Sequence, residues 1–167
     1  MNGVHSDRWL VLRTKSRQEN AVEGWLRQKA INSFLPVHNV PGRRKDRKVV
    51  LEVPLFPGYV FVQPRADQFE KIRYIPGSCG LVFSGNGPAA MPEGDMEAVK
   101  ILVRSGAALA PNPRLIRGQR VQVMSGPFMG IQGEFVRTQG RERLVINAHL
   151  LSSSVSVAVE SSLVCVL

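Results

Sequence analysis

Trp9-Leu10-Val11-Leu12 is an unbroken apolar run, and Val22, Trp25, Leu26 and Ala30 follow it at three- and four-residue spacing. The run predicts a short buried strand over Arg8–Arg13, and the spacing predicts one face of an amphipathic helix. Between them, Ser16-Arg17-Gln18-Glu19 has the form of a capping box, a hydroxyl for the first free amides and a Glu three residues on to answer it. The opposite helix face carries Arg17, Gln18, Asn20, Arg27 and Gln28. Phe34–Val40, punctuated by Pro36 and Pro41, and Val49–Val53 read as two strands of a hairpin with its tip at 42–48. A short helix is expected over Asp67–Tyr74 and a strand over Gly80–Ser84. Pro92 then opens a helix whose Met96, Val99, Leu102 and Val103 form the apolar stripe, with Glu93 and Asp95 at its positive end. Residues 1–7 read as a disordered leader.

Beyond Ser105 the pattern changes. Ser105–Ile116 is small-residue and proline-rich, which predicts a linker. Short alternating segments follow at Arg120–Met124, Gly130–Arg137, Arg143–His149, Ser154–Glu160 and Leu163–Leu167. Strands of that length and spacing predict a small barrel. The expected fold class is therefore α+β: an N-terminal α/β sandwich over 7–104 (an antiparallel sheet with flanking helices), a linker over 105–116, and a small five-stranded β-barrel over 117–167.

The chain of 167 residues is 44% hydrophobic and contains no apolar run near the roughly 20 residues a spanning helix needs. Cys79 and Cys165 form neither a disulfide framework nor a zinc-ligand spacing, so a reduced, cytoplasmic protein without a membrane anchor is expected. His5, His38 and His149 are scattered, and no P-loop, dinucleotide fingerprint or nucleophile elbow is present, so neither cofactor, metal nor enzyme activity is expected. Charge is more informative. The net of +9 divides into 16 cations against 10 anions in residues 1–110 and 6 against 3 in 111–167. It is sharpest at Arg43-Arg44-Lys45-Asp46-Arg47-Lys48, a run that attracts polyphosphate without reading bases.

Two motifs carry the most information. Leu55-Phe56-Pro57-Gly58-Tyr59-Val60-Phe61-Val62 is an apolar strand that opens on a Pro-Gly kink, a mark of a bulged or edge position, with Tyr59 and Phe61 on one face. Gly126-Pro127-Phe128-Met129-Gly130 is a tight turn between Val121-Gln122-Val123 and Glu134-Phe135-Val136. Phe56-Pro57-Gly58-Tyr59 beside Trp9–Leu12 resembles the N-terminal domain (NGN) of NusG-type transcription elongation factors. Gly118-x-x-Val121-x-Val123-x-x-Gly126-Pro127-Phe128-x-Gly130-x-x-Gly133 resembles their KOW motif, an SH3-like barrel. The resemblance covers Arg8 to Leu167, and both motifs stand in the family's order.

That resemblance implies a factor that binds the clamp helices of the RNA polymerase β′ subunit through an apolar patch and suppresses pausing or termination. The matching positions are Phe56, Tyr59 and Phe61, with Val11 and Arg13 from the first strand. Lys15, Arg17 and Gln18 match the region that touches non-template DNA in RfaH-like paralogues, and the tip cations Arg43, Arg44, Lys45, Arg47 and Lys48 would add attraction to upstream DNA. In the KOW part, Phe128, Ile131, Leu150 and Leu151 are the partner-binding candidates, the partner being a small-subunit ribosomal protein. Leu150-Leu151-Ser152-Ser153 keeps the apolar pair of the family's loop and lacks its Gly-Arg, which argues against Rho. Pro54-Leu55-Phe56-Pro57 is worded like RfaH, which implies an operon-restricted, monomeric paralogue. RfaH-like relatives can refold the KOW segment into helices; the β-branched valines of Ser154–Val159 favour strand here. The competing reading is a KOW-type RNA-binding or ribosome-associated protein.

Overall fold

The computed structural model describes residues 8–167, so the leader expected over residues 1–7 lies outside the described residues. In chain order the elements are β1 (Leu10–Thr14), α1 (Glu19–Gln28), β2 (Asn32–Phe34), β3 (Val37–Arg44), β4 (Arg47–Pro54), β5 (Tyr59–Gln63), α2 (Phe69–Arg73), β6 (Ser78–Leu81), β7 (Phe83–Ser84), β8 (Gly87–Pro88), α3 (Glu93–Arg104), β9 (Leu109–Asn112), β10 (Gln119–Val123), β11 (Gln132–Thr138), β12 (Arg141–Ala148), β13 (Ser153–Ala158) and β14 (Val164–Val166). Among the described residues the fold is mixed α/β, mostly strands with three α-helices. The chain divides into two compact units. The first contains the described residues up to Pro36 and Phe56–Glu93, and the second contains Val37–Leu55 and Gly94–Leu167.

In the first unit an antiparallel sheet runs in the order β2-β5-β1-β6. Leu10, Val11 and Leu12 are all buried, so both faces of β1 are covered, as an unbroken apolar run requires. Helix α1 buries Val22 and Leu26 but leaves Trp25 41% exposed, and Ala30 lies beyond its end. The expected capping box does not form: Gln18 is the N-cap and has no side-chain cap bond. The reason is upstream. Thr14 N–H donates to Gly58 O (2.9 Å) and Lys15 N–H to Gly77 O (2.8 Å), which holds the chain extended past β1. Ser16 then falls inside the turn closed by Gln18 N–H to Lys15 O, with Arg17 at φ 61°, and the helix starts later. At the other end Ala30 N–H reaches Arg27 O and Ile31 N–H reaches Leu26 O, a Schellman cap with Ala30 left-handed. Gln68, buried, locks this cap in place: its Oε1 accepts from Arg65 N–H (2.9 Å) and its Nε2 donates to Ala30 O (3.2 Å).

In the second unit β3 and β4 form a separate hairpin, and the remaining strands make a sheet in the order β14-β10-β11-β12-β13-β9. Val121 and Val123 are buried at alternate positions of β10, whereas Leu144, Val145 and Ile146 of β12 and Ser154 to Val157 of β13 are buried consecutively, so both faces of those two strands are covered. Gly133 sits where strands come closest: a Cβ there would lie 2.6 Å from Val145 O and 2.9 Å from Ile146 Cδ1. Strand β13 occupies the valine-rich segment that β-propensity favours.

The stretch 105–116, expected as a linker, is a correction. Leu109–Asn112 pairs antiparallel with β13, adding a sixth strand to the five expected. Ile116 is held by both ends of the Asn147 amide (2.9 and 2.8 Å), and Ser154 Oγ donates to Arg114 O at 2.7 Å. Prolines signal a break in most sequence contexts, yet an edge strand tolerates them where the missing N–H faces outward. Pro111, opposite Val155, sits on such an edge.

Gly24 and Gly133 separate two kinds of glycine. Gly24 is inside α1, where an added methyl would meet nothing within 4 Å, so Gly24→Ala is expected to raise stability by about 0.5–1 kcal/mol. Gly133→Ala is expected to lower it by about 1–3 kcal/mol through overpacking against backbone. Urea unfolding of the full chain reads both. Asn147→Ala is expected to cost about 1–3 kcal/mol by orphaning the Ile116 backbone, and to speed amide exchange at Ile116 above that of the α1 amides.

Candidate functional site

Phe56-Pro57-Gly58-Tyr59 is a β-turn. Tyr59 N–H donates to Phe56 O (3.2 Å), Pro57 takes the second position and Gly58, at φ 88°, the third. That is the type II pattern, in which proline presets one dihedral and only glycine accepts the other without strain. The turn lets β5 enter the sheet directly, with Val11 opposite Phe61 and Arg13 opposite Tyr59. These four residues therefore share one face of the sheet. Along that face the environment changes from interior to solvent. Val11 and Phe61 are 0% exposed, Phe56 is 2% exposed, Tyr59 is half-buried and Arg13 is exposed.

Half-buried Trp9 and Phe34 join buried Phe61 and Phe56 in a chain of ring contacts. Trp9 meets Phe34 edge-on at 6.1 Å, Phe34 meets Phe61 at 6.3 Å, and Phe61 meets Phe56 edge-on at 5.9 Å. Of the five patch candidates, Tyr59 and Arg13 present side-chain surface, while Val11, Phe56 and Phe61 are buried. Two aromatics in the same unit, Tyr74 (78%) and Phe83 (65%), are exposed without any sequence signal to mark them. Phe83 borders a groove of about 750 Å3 that also includes Phe69, Ile72, Arg73 and Leu81. In the sequence Phe83 is an ordinary strand residue, and no periodicity over so short a segment separates an inward from an outward ring.

Lys15, Arg17 and Gln18 are all exposed in the turn that precedes α1. Arg43, Arg44, Lys45, Arg47 and Lys48 are exposed at the end of the β3–β4 hairpin, where Arg43 opposes Lys48 and Arg44 opposes Arg47. The ion pairs formed among the described residues are Arg27–Glu23, Arg65–Asp67 and Arg137–Glu142, none of them at this tip. Arg65 hydrogen-bonds Asp67 and holds its carboxyl below the ordinary value. Burial pushes Asp95 up, opposed by the charges of His149 and Arg120.

In the six-stranded sheet, the Gly-Pro-Phe turn is closed by Met129 N–H to Gly126 O and Ile131 N–H to Phe128 O. Phe128, Ile131 and Leu151 are buried, and Leu150 is half-buried. Met124 and Met129 are exposed apolar side chains near this turn. A groove of about 730 Å3 runs past Pro127, Phe128, Arg141, Arg143, Val159 and Leu163. Arg143 is already committed: its Nε donates to Ser156 Oγ (2.9 Å) and its Nη2 to Ser156 O (3.1 Å). Among the described residues no three His, Cys, Asp or Glu side chains converge as a metal site, and no helix is long and apolar enough to cross a membrane. Cys79 and Cys165 are free thiols.

NusG of Helicobacter pylori, named a transcription termination/antitermination protein, is 27% identical over 139 residues, covering 72% of this chain and 75% of the relative. NusG of Streptococcus pyogenes, with the same description, is 28% identical over 153 residues, covering 83% of this chain and 86% of the relative. A solved structure of Thermotoga maritima NusG shares the fold, with a TM-score of 0.58 and 21% identity over 94% of this chain and 95% of that one. The family model described as transcription termination factor NusG matches residues 7–100, which contain β1, the Phe-Pro-Gly-Tyr turn and the basic hairpin, and the chain belongs to the NusG family of transcription termination/antitermination factors.

Proposed function

We propose that this protein is an elongation and antitermination factor that grips the clamp helices of RNA polymerase through the face centred on Tyr59. The observation that carries this reading is the gradient along that face. Phe56, Phe61 and Val11 form a rigid buried base, and Tyr59 projects from its solvent end opposite Arg13. An amphipathic ring on a fixed base binds at low entropic cost, the usual property of an interface hot spot. By holding the clamp, the factor disfavours the opened states that lead to pausing. The mechanism is binding rather than catalysis, and its setting is the cytoplasm.

In this reading residues 7–104 are the NGN domain and 117–167 the KOW barrel, its sheet extended by the strand Leu109–Asn112. The KOW part recruits a second partner, a small-subunit ribosomal protein, through the surface around Phe128 and Leu150, while Ser152-Ser153 disfavours Rho. Lys15, Arg17 and Gln18 meet the non-template strand, and the hairpin tip meets upstream DNA. The RfaH-like wording of Pro54–Pro57 supports a factor restricted to particular operons.

Full-length protein is expected to bind core RNA polymerase, with Tyr59→Ala weakening binding about 30-fold or more, the size of a hot-spot loss of ~2 kcal/mol. The same substitution is expected to shift unfolding by under about 1 kcal/mol, whereas Phe61→Ala, which empties a core site, is expected to cost about 3–5 kcal/mol. Undiminished polymerase binding by a folded Tyr59→Ala protein would reject this surface. Failure of the wild type to bind polymerase, together with co-sedimentation with ribosomes, would favour the RNA- or ribosome-associated reading instead.

A further inference from the structure

The β3–β4 ribbon has a charge arrangement that a merely solvated basic tip does not need. Its two strands are eight residues each and pair from Val37↔Pro54 to Arg44↔Arg47, with Lys45 (φ 53°) and Asp46 making the turn. Side chains directly opposite each other share a face, and successive pairs alternate faces. Arg43 and Lys48 therefore lie on one face and Arg44 and Arg47 on the other. Like charges directly opposite are destabilising, and here the ribbon has one such pair on each face. Asp46 is the single anion among Arg43–Lys48, and the tip takes part in none of the ion pairs among the described residues. Cations on one face would suit a flat anionic surface. Cations on both faces suit a slot with an anionic wall on each side.

We propose that this tip enters the major groove of B-form DNA, with Arg43 and Lys48 facing the phosphates of one wall and Arg44 and Arg47 those of the other. This inference rests on the upstream-DNA contact proposed above and specifies its form. The groove is about 12 Å wide and about 8.5 Å deep and admits a two-stranded ribbon, whereas the minor groove of undistorted B-DNA, at about 6 Å, is too narrow for one with long side chains on both faces. At roughly 3.4 Å per residue, that depth takes in two to three residue pairs. Those pairs are Arg44↔Arg47, Arg43↔Lys48 and Gly42↔Val49, so the four facing cations fall within the groove and the small Gly42 at its lip. Val50 and Leu51, both exposed, begin just outside it. The deep, narrow major groove of A-form RNA excludes such a ribbon, so the duplex is DNA.

The test uses the full chain and a fluorescently labelled 20-base-pair DNA duplex, the matching RNA duplex and the single strand, titrated across salt concentrations. The DNA duplex is expected to bind tightest. Arg43→Ala/Lys48→Ala and Arg44→Ala/Arg47→Ala are each expected to reduce the log–log salt slope by about 1.8, roughly 0.9 per lost phosphate contact. Guanine N7 is expected to be protected from dimethyl sulfate, and a minor-groove drug is expected not to compete. The groove assignment is overturned by an effect confined to one face's variant, by equal or tighter binding of the RNA duplex or single strand, by competition from the minor-groove drug, or by no duplex binding at low salt. All four side chains are exposed, and circular dichroism of each variant checks the fold. Tyr59→Ala is expected to leave duplex binding unchanged, and the hairpin variants to leave polymerase binding in the absence of DNA unchanged. A failure of the groove assignment is thereby separated from a failure of the clamp reading.

Discussion

Phe61 touches Phe34 on one side and Phe56 on the other while its backbone pairs with both β1 and β2, and the first unit depends on that placement. A central strand buried on both faces has little tolerance in register, because a one-residue slip would exchange every side chain between faces. The type II turn at Phe56–Tyr59 removes that freedom before the strand begins. Pro57 and Gly58 set its dihedrals, and Thr14 N–H to Gly58 O attaches it to the end of β1. Tyr59 is thus delivered to the solvent end of a rigid face. The aromatic residues that a family pattern marks as contact residues have two different roles, most of them forming the base and one presenting the surface.

The second unit solves a different problem. Its six-stranded sheet is short-stranded and buries both faces of β12 and β13, so small residues matter where strands crowd, as at Gly133. Strand β9 adds burial to this sheet at the edge of β13, and Asn147 and Ser154 secure the chain that follows. Only the residues between Arg104 and Leu109 are left as a connection between α3 and the sheet.

Charge is organised separately from both cores. The exposed cations of the Lys15–Gln18 turn and of the hairpin tip stand outside the ion pairs formed among the described residues, in which Arg27, Arg65 and Arg137 each have an acidic neighbour. Cations left without carboxylate partners keep their full attraction for phosphate, which is long-ranged at low salt and weakens as salt rises.

Local patterns sufficed for much of this. The apolar run at Trp9–Leu12, the buried Val22 and Leu26 of α1, the hairpin with its basic tip and the short strands after Arg117 were legible because each depends on a pattern within a few residues. The two motifs also identified the family, since Pro-Gly and Gly-Pro-Phe turns impose their dihedrals wherever they occur. Three features required the folded chain. The capping box at Ser16 gave way to a turn because backbone bonds to Gly58 and Gly77, far along the chain, hold Thr14 and Lys15 extended. The proline-rich 105–116 stretch became a strand because a free edge on β13 accepts a partner lacking an N–H. The division of the aromatics into buried base and half-buried Tyr59, and the pairing of cations on opposite faces of the hairpin, follow from cross-strand register. Sequence determines which residues can form strands and turns; only the register between strands distant in the chain decides which side chains meet each other and which meet solvent.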